Sequence, residues 1–194
     1  MSDDGRNRAV MGGKVFRDDL SVLSWPDTLS NATDASGALI QINLEHSKIH
    51  QGKGWNVNIE IASIASSASH YILFRVVSGN SHLRSYGVTV SDSPATIRLY
   101  EGATVTTVGT EAAPRNRKRS ASDTNGVLVY SGSTISNDGT LLETDYLPTG
   151  GNKSGGNANS FYEEWILDPG DYVLKITNGS NNSVQAYVHA FWYA

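Results

Sequence analysis

The chain has 194 residues, a formal net charge of −4 and no cysteine, so disulfides, thiolate nucleophiles and cysteine-ligated zinc are all excluded. The mild negative charge argues against nucleic-acid binding driven by overall charge, and no apolar run approaches the roughly 18–20 residues that span a bilayer. With 18% charged residues, 19 glycines and abundant Ser, Thr and Asn, the composition suits strands and turns better than helices.

In chain order, residues 1–13 are polar and glycine-bearing and read as an arm without a hydrophobic signal segment. Lys14–Leu23 mixes Val15, Phe16, Leu20, Val22 and Leu23 among polar residues, as expected of a short strand or of a segment ordered by a partner. Pro26 and the run Ser30–Gly37 read as a polar loop. Ala38–Leu44 alternates Ile40, Ile42 and Leu44 against Leu39, Gln41 and Asn43, which predicts a half-buried strand. After a turn at Gly52–Gly54, Trp55, Val57, Ile59 and Ile61 share one strand face, with Asn56, Asn58 and Glu60 on the other. Further strands are expected at His70–Val77, Tyr86–Val90, Thr96–Tyr100, Gly126–Tyr130, Thr140–Glu143 and Phe161–Leu167.

The chain ends in two alternating strands joined at Asn178–Asn182. In the last of them Ala186, Val188, Ala190 and Trp192 face one way, and Tyr187, His189, Phe191 and Tyr193 the other, leaving no water-facing side. That strand is expected between two layers or at a subunit contact. No helix and no repeat of 20–50 residues is predicted. Long connections at Thr110–Asn125 and Pro148–Asn159 interrupt the strands. The expectation is an all-β antiparallel sandwich over residues 36–194, preceded by an N-terminal extension at 1–35.

Four segments together resemble the head decoration, or cement, proteins of tailed bacteriophages. They are SGALIQINLEHSKIHQGKG (36–54), IRLYEGATVTTVGTEAAPRNRKR (97–119), NDGTLLETDYLPTGG (137–151) and EWILDPGDYVLKITN (164–178). The resemblance covers most of residues 36–194 and leaves the first 35 outside it. It implies a jelly-roll-like sandwich, without catalytic activity or cofactor, bound to the outer surface of an icosahedral head assembled in the host cytoplasm. The implied partners are the major capsid protein and further copies of the chain, a trimer being favoured because a closed ring of three matches a threefold lattice position.

The residues themselves offer contact candidates and little chemistry. Arg115, Arg117, Lys118 and Arg119 place four cations within five positions, which would grip an acidic surface or form a solvated loop; without interleaved aromatics they do not suggest a nucleic-acid site. Phe16, Leu20 and Trp25 are candidate anchors in the extension. His46 and His50 would share a zinc ion only on a helix, since on a strand they stand ~13 Å apart. Carboxylates are scattered, Glu163 and Glu164 point to opposite strand faces, and Asn137-Asp138-Gly139 offers calcium a single carboxylate. Trp55, Trp165 and Trp192 are expected in the core, with a sugar-stacking platform as the functional rival. A glycan-binding module or a fibre-type receptor-binding virion protein is therefore the alternative function. An enzyme on a jelly-roll scaffold is the more distant one.

Overall fold

The computed structural model describes residues 10–11, 14–15, 32–33, 39–40, 44–92, 94–148, 154–155 and 164–194. The chain forms two compact units, Met1–Leu44 and Glu45–Ala194. In the first, β1 (Val10–Met11) pairs with β2 (Lys14–Val15), and β3 (Ala32–Thr33) with β4 (Leu39–Ile40), both antiparallel.

The second unit begins within a short helix, α1 (Leu44–His50), where the sequence suggested a strand running to Leu44 and no helix at all. The helix stops in a Schellman turn. Gly52 adopts φ +81°, its amide donates to Ile49 O at 2.9 Å, and Lys53 N donates to Lys48 O at 2.9 Å. The left-handed conformation is open to glycine without penalty, which is why the helix ends there.

The remaining elements are β5 (Gly54–Ile64), β6 (Ser69–Val76), β7 (Ser81–Val90), β8 (Ala95–Glu101), β9 (Thr104–Thr107), β10 (Thr110–Glu111), β11 (Arg115–Asn116), β12 (Val127–Ser131), β13 (Thr134–Asn137), β14 (Thr140–Leu147), β15 (Ser154–Gly155), β16 (Trp165–Leu167), β17 (Gly170–Asn178) and β18 (Val184–Tyr193). One sheet runs β11-β5-β18-β7, with β15 and β16 both on the far side of β7; the other runs β10-β12-β6-β17-β8-β14. The antiparallel pairs β5–β18, β6–β17, β7–β16 and β8–β14 are nested. Such nesting is one long hairpin rolled into two layers, the topology of a jelly roll.

The two sheets bury a common core from alternate positions. Val57, Ile59, Ile61, Val88, Val188, Ala190 and Trp192 of one sheet meet Ile72, Phe74, Ile97, Leu99, Val129, Leu174 and Ile176 of the other. Trp192 is 1% exposed, stands edge-on to Phe74 at 6.4 Å, and its indole N–H donates to Asn125 Oδ1 at 3.2 Å. Asn178, fully buried, closes the end of the sandwich. Its amide donates to Ile64 O and Ala65 O, both at 3.0 Å, and to Asn182 O at 2.8 Å.

A third layer covers the outer face of the second sheet, and it comes from a repeat that the sequence reading did not anticipate. YEGATVTTVGTE (100–111) and YSGSTISNDGTL (130–141) share Tyr, Gly, Thr, Gly and Thr at the same positions, 30 residues apart. Both copies have the same course: a strand end, a glycine, then a four-residue strand, with β9 and β13 pairing across the repeat. The backbone bonds repeat as well, Gly102 N donating to Asp171 O and Gly132 N to Tyr71 O, each at 2.9 Å. Glu101 pairs with Tyr172 as Ser131 pairs with Ile72, so a pseudo-twofold axis passes near the Leu73–Val173 pair. Leu73, Val173 and Ala103 form a second apolar cluster there, closed over by Val105, Val108 and Ile135. Gly109 (φ +79°) and Gly139 (φ +89°) occupy equivalent crossings; a Cβ would lie 2.4 Å from Ser131 O in one and 2.1 Å from Glu101 O in the other. The symmetry ends where β14 continues to Leu147, while the chain after β10 crosses to the first sheet as β11.

Candidate functional site

The outer face of the first sheet carries a linked set of polar side chains. It is built on the second side of β18, which the sequence expected to have no water-facing part. Tyr187 and His189 are in fact exposed, and only Phe191 and Tyr193 are covered. The cover is α1, whose Ile49 packs over Gly54 beside the Phe191 ring, together with the turn that follows β11.

That turn holds the basic run. Arg115 and Asn116 pair with Asn56 and Trp55 on the edge of β5, so Thr110–Asn125 is in part a strand of the sheet rather than a free connection. Asn116, 8% exposed, donates its amide to Gly52 O at the end of α1 and accepts from Lys118 N at 2.8 Å. Arg117 N donates to Gly54 O at 2.9 Å, and Ala121 N to Lys118 O at 3.0 Å. The Arg117 guanidinium sits 4.6 Å above the Phe191 ring and 3.4 Å from Glu45. Arg119 reaches back to Asn116 O at 3.4 Å. The structure therefore brings Arg115, Arg117, Lys118 and Arg119 together on a turn whose backbone is pinned and whose cations are exposed. Phe16, Leu20 and Trp25, the other contact candidates, lie outside the described residues.

Glu45 anchors this face from the first turn of α1. Besides Arg117 it lies 3.7 Å from Arg84, a residue that a register shift opposite Phe191 and Trp192 inserts into β7 as an extra member. Beside them Tyr193 stacks on His82 at 4.8 Å and donates to Glu164 Oε2 at 2.6 Å, while His82 Nδ1 lies 2.6 Å from Glu164 Oε1. Burial, then the bond to Glu164, pushes the Tyr193 hydroxyl well above its ordinary range. Lys48 hangs 5.8 Å from the Tyr193 ring; burial and the neighbouring Lys53 charge lower its pKa. Arg84, Asn116 and His82 were not singled out from the sequence as site residues. Only the terminal aromatics gave a signal, because a bulge and a helix cap are invisible to alternation.

Several of the remaining charged groups are held by structural partners. Asp171 holds Arg75 through two bonds of 2.7 and 2.8 Å, and Asp138 pairs with Lys175 at 2.6 Å. Glu143 accepts from the Trp165 indole at 3.1 Å, and Asp145 from Tyr86, whose hydroxyl burial pushes far up. His46 and His50 do meet on one helix face, with Nε2 atoms 2.9 Å apart. Among the described residues, however, no group of three or more His, Cys, Asp or Glu is placed to hold a metal.

Among the described residues there is one Ser–His pair. His70 Nε2 lies 2.9 Å from Ser131 Oγ, and burial lowers the His70 pKa. Among the described residues no carboxylate orients the second ring nitrogen. The nearby Gly132 and Ser133 amides are both spent on Tyr71 O, so neither is free to stabilise an oxyanion. Of the tryptophans, Trp192 is buried and Trp55 and Trp165 pack partly buried against the core. No helix among the described residues is long and apolar enough to cross a membrane. No protein-family model, curated protein or solved structure matches the chain.

Proposed function

We propose that the chain is a non-enzymatic virion protein that decorates the outer surface of a tailed-phage head, binding the major capsid protein lattice and stabilising the expanded shell. The observation that carries this reading is a cationic turn held rigidly on one outer face of a jelly roll whose chain as a whole is acidic, at −4. Backbone bonds and the buried Asn116 hold the turn in place, so its exposed cations are presented together on one face, which favours recognition of an acidic protein surface. The sequence resemblance to head decoration proteins supports the same reading. So do the acids of the sandwich, spent on Arg75, Lys175, Trp165 and Tyr86 rather than converging on a substrate. Binding only the expanded shell stabilises it by mass action, and many symmetry-related copies, a trimer at each threefold position being the favoured arrangement, multiply modest single contacts.

The test is reconstitution. Heads assembled without this chain, before and after expansion, are mixed with purified protein and sedimented. Saturable co-sedimentation with expanded heads alone is expected, weakening as salt rises. Heads that bind no protein end the proposal. Removing residues 1–35, which include Phe16, Leu20 and Trp25, is expected to weaken attachment while leaving the sandwich folded.

A second reading, glycan binding by a receptor-binding virion protein, rests on Tyr187. It is 49% exposed on β18, and its hydroxyl donates to Glu60 at 3.5 Å, as a sugar-stacking ring with a polar neighbour would. Glycan-array binding that Tyr187→Ala abolishes would favour it.

A further inference from the structure

The open side of β5 has a consequence independent of the head contact. The ladder to β11 uses only Trp55 and Asn56. Gly54 O accepts from Arg117 N on that side. In an antiparallel strand alternate residues aim both backbone groups the same way, so the N–H and C=O of Asn58 and Glu60 also point away from β18. Among the described residues no strand pairs with them there. They open instead onto a groove of about 690 Å³, walled by residues 58–63 of β5 on one side and by Thr110 and Glu111 of β10 with the following Ala112 on the other.

The groove has the dimensions and chemistry of a strand-shaped vacancy. From Asn58 to Ser63 the edge runs roughly 20 Å at about 3.3 Å per residue. Its floor includes Ile59, Ile61 and Ala112, and its charged members are Glu60 and Glu111, with no lysine or arginine in the lining. Exposed edges are usually blunted by Lys, Pro or a bulge. Asn58-Ile59-Glu60-Ile61 carries neither Lys nor Pro, and the register shift of β5 falls beyond it, between Ile61 and Ile64.

We infer that this groove binds an extended segment of a partner protein in which apolar and basic residues alternate, added antiparallel or parallel to β5 as a further strand. Its backbone pairs with Asn58 and Glu60, its apolar side chains lie over Ile59, Ile61 and Ala112, and its basic side chains meet Glu60 and Glu111.

The probe is a fluorescein-labelled heptapeptide of alternating valine and lysine, titrated into the full chain and followed by anisotropy. Three controls accompany it: glutamate in place of lysine, N-methylation of alternate peptide bonds, and a Glu60→Lys/Glu111→Lys double variant. The expected result is saturable binding of the lysine peptide, weakened about tenfold or more by each control, with slowed hydrogen exchange at the Asn58 and Glu60 amides. Equal affinity for the N-methylated peptide, or no saturable binding of the lysine peptide, overturns the inference. So does a self-association of the free protein that Asn58→Pro abolishes, since a second copy would then fill the edge. The methylated-peptide arm needs no variant and stands even if Asn58→Pro fails to fold.

Discussion

On the outer face of the second sheet Leu73 and Val173 lie beneath a two-stranded ribbon, while on the outer face of the first Phe191 and Tyr193 lie beneath a short helix and a cationic turn. Both covers answer the same problem, a central strand with large side chains on both faces. The ribbon answers it with apolar contact repeated about a pseudo-twofold axis, so each half supports the other. The helix and turn answer it with single-copy polar contacts: Glu45 to two arginines, Asn116 to the helix end, Glu164 to Tyr193. Apolar burial is non-directional and tolerant of salt, whereas ion pairs at a half-exposed surface contribute little stability and fix geometry instead. The symmetric face is built for stability and the cationic one for presenting charge.

Substitutions that separate the two covers sharpen this contrast. The largest effect is expected at the ribbon crossings. Gly139→Ala forces a Cβ against Glu101 O at a positive φ, destabilising by about 3 kcal/mol or more in urea unfolding. Leu73→Ala, in the apolar cluster beneath, is expected to lose about 2–5 kcal/mol with no effect on head binding. On the other face Asn116→Ala leaves the helix end without its donor and is expected to lose about 1–3 kcal/mol. Its distinguishing readout is faster hydrogen exchange through 115–121, together with weaker head attachment. Arg117→Met keeps much of the stacking on Phe191 and removes the charge. Stability should change by less than about 1 kcal/mol while co-sedimentation with heads falls and loses part of its salt dependence. If Arg117→Met unfolded the protein, or Leu73→Ala abolished head binding, the division of labour between the faces would be wrong.

The smallest effect concerns pH. His70 is lowered from its ordinary value of about 6.5 by burial, so the unfolded chain takes up a proton before the folded one does. This group therefore leaves stability untouched above that value and reduces it as pH falls below it, until the folded ring also protonates. His70→Asn should flatten that part of the stability profile between neutral and mildly acid pH, measured as Tm against pH.

Much of the sandwich was legible because burial leaves a period of two. The strand around Trp55–Ile61 and the two terminal strands lie where alternation predicted them, with Trp192 in the core as expected. Elements too short for a period were missed. β9 and β13 have four residues each, α1 has seven, and β11 has two. The repeat went unseen because its shared residues are Gly, Thr and Tyr, common throughout this chain, and its meaning lies in backbone crossings rather than in side-chain type.

By itself the sequence determined that the protein is all-β, that its core is drawn from alternate strand positions, and that a cluster of cations lies near residue 117. Tertiary structure alone decided which strands are neighbours, that the backbone carrying the cations is tied to β5 and to the end of α1, and that, among the described residues, no strand pairs with β5 at Asn58 and Glu60. The reason is that alternation is a local consequence of burial, whereas pairing order, bulges and caps depend on backbone hydrogen bonds between residues tens of positions apart.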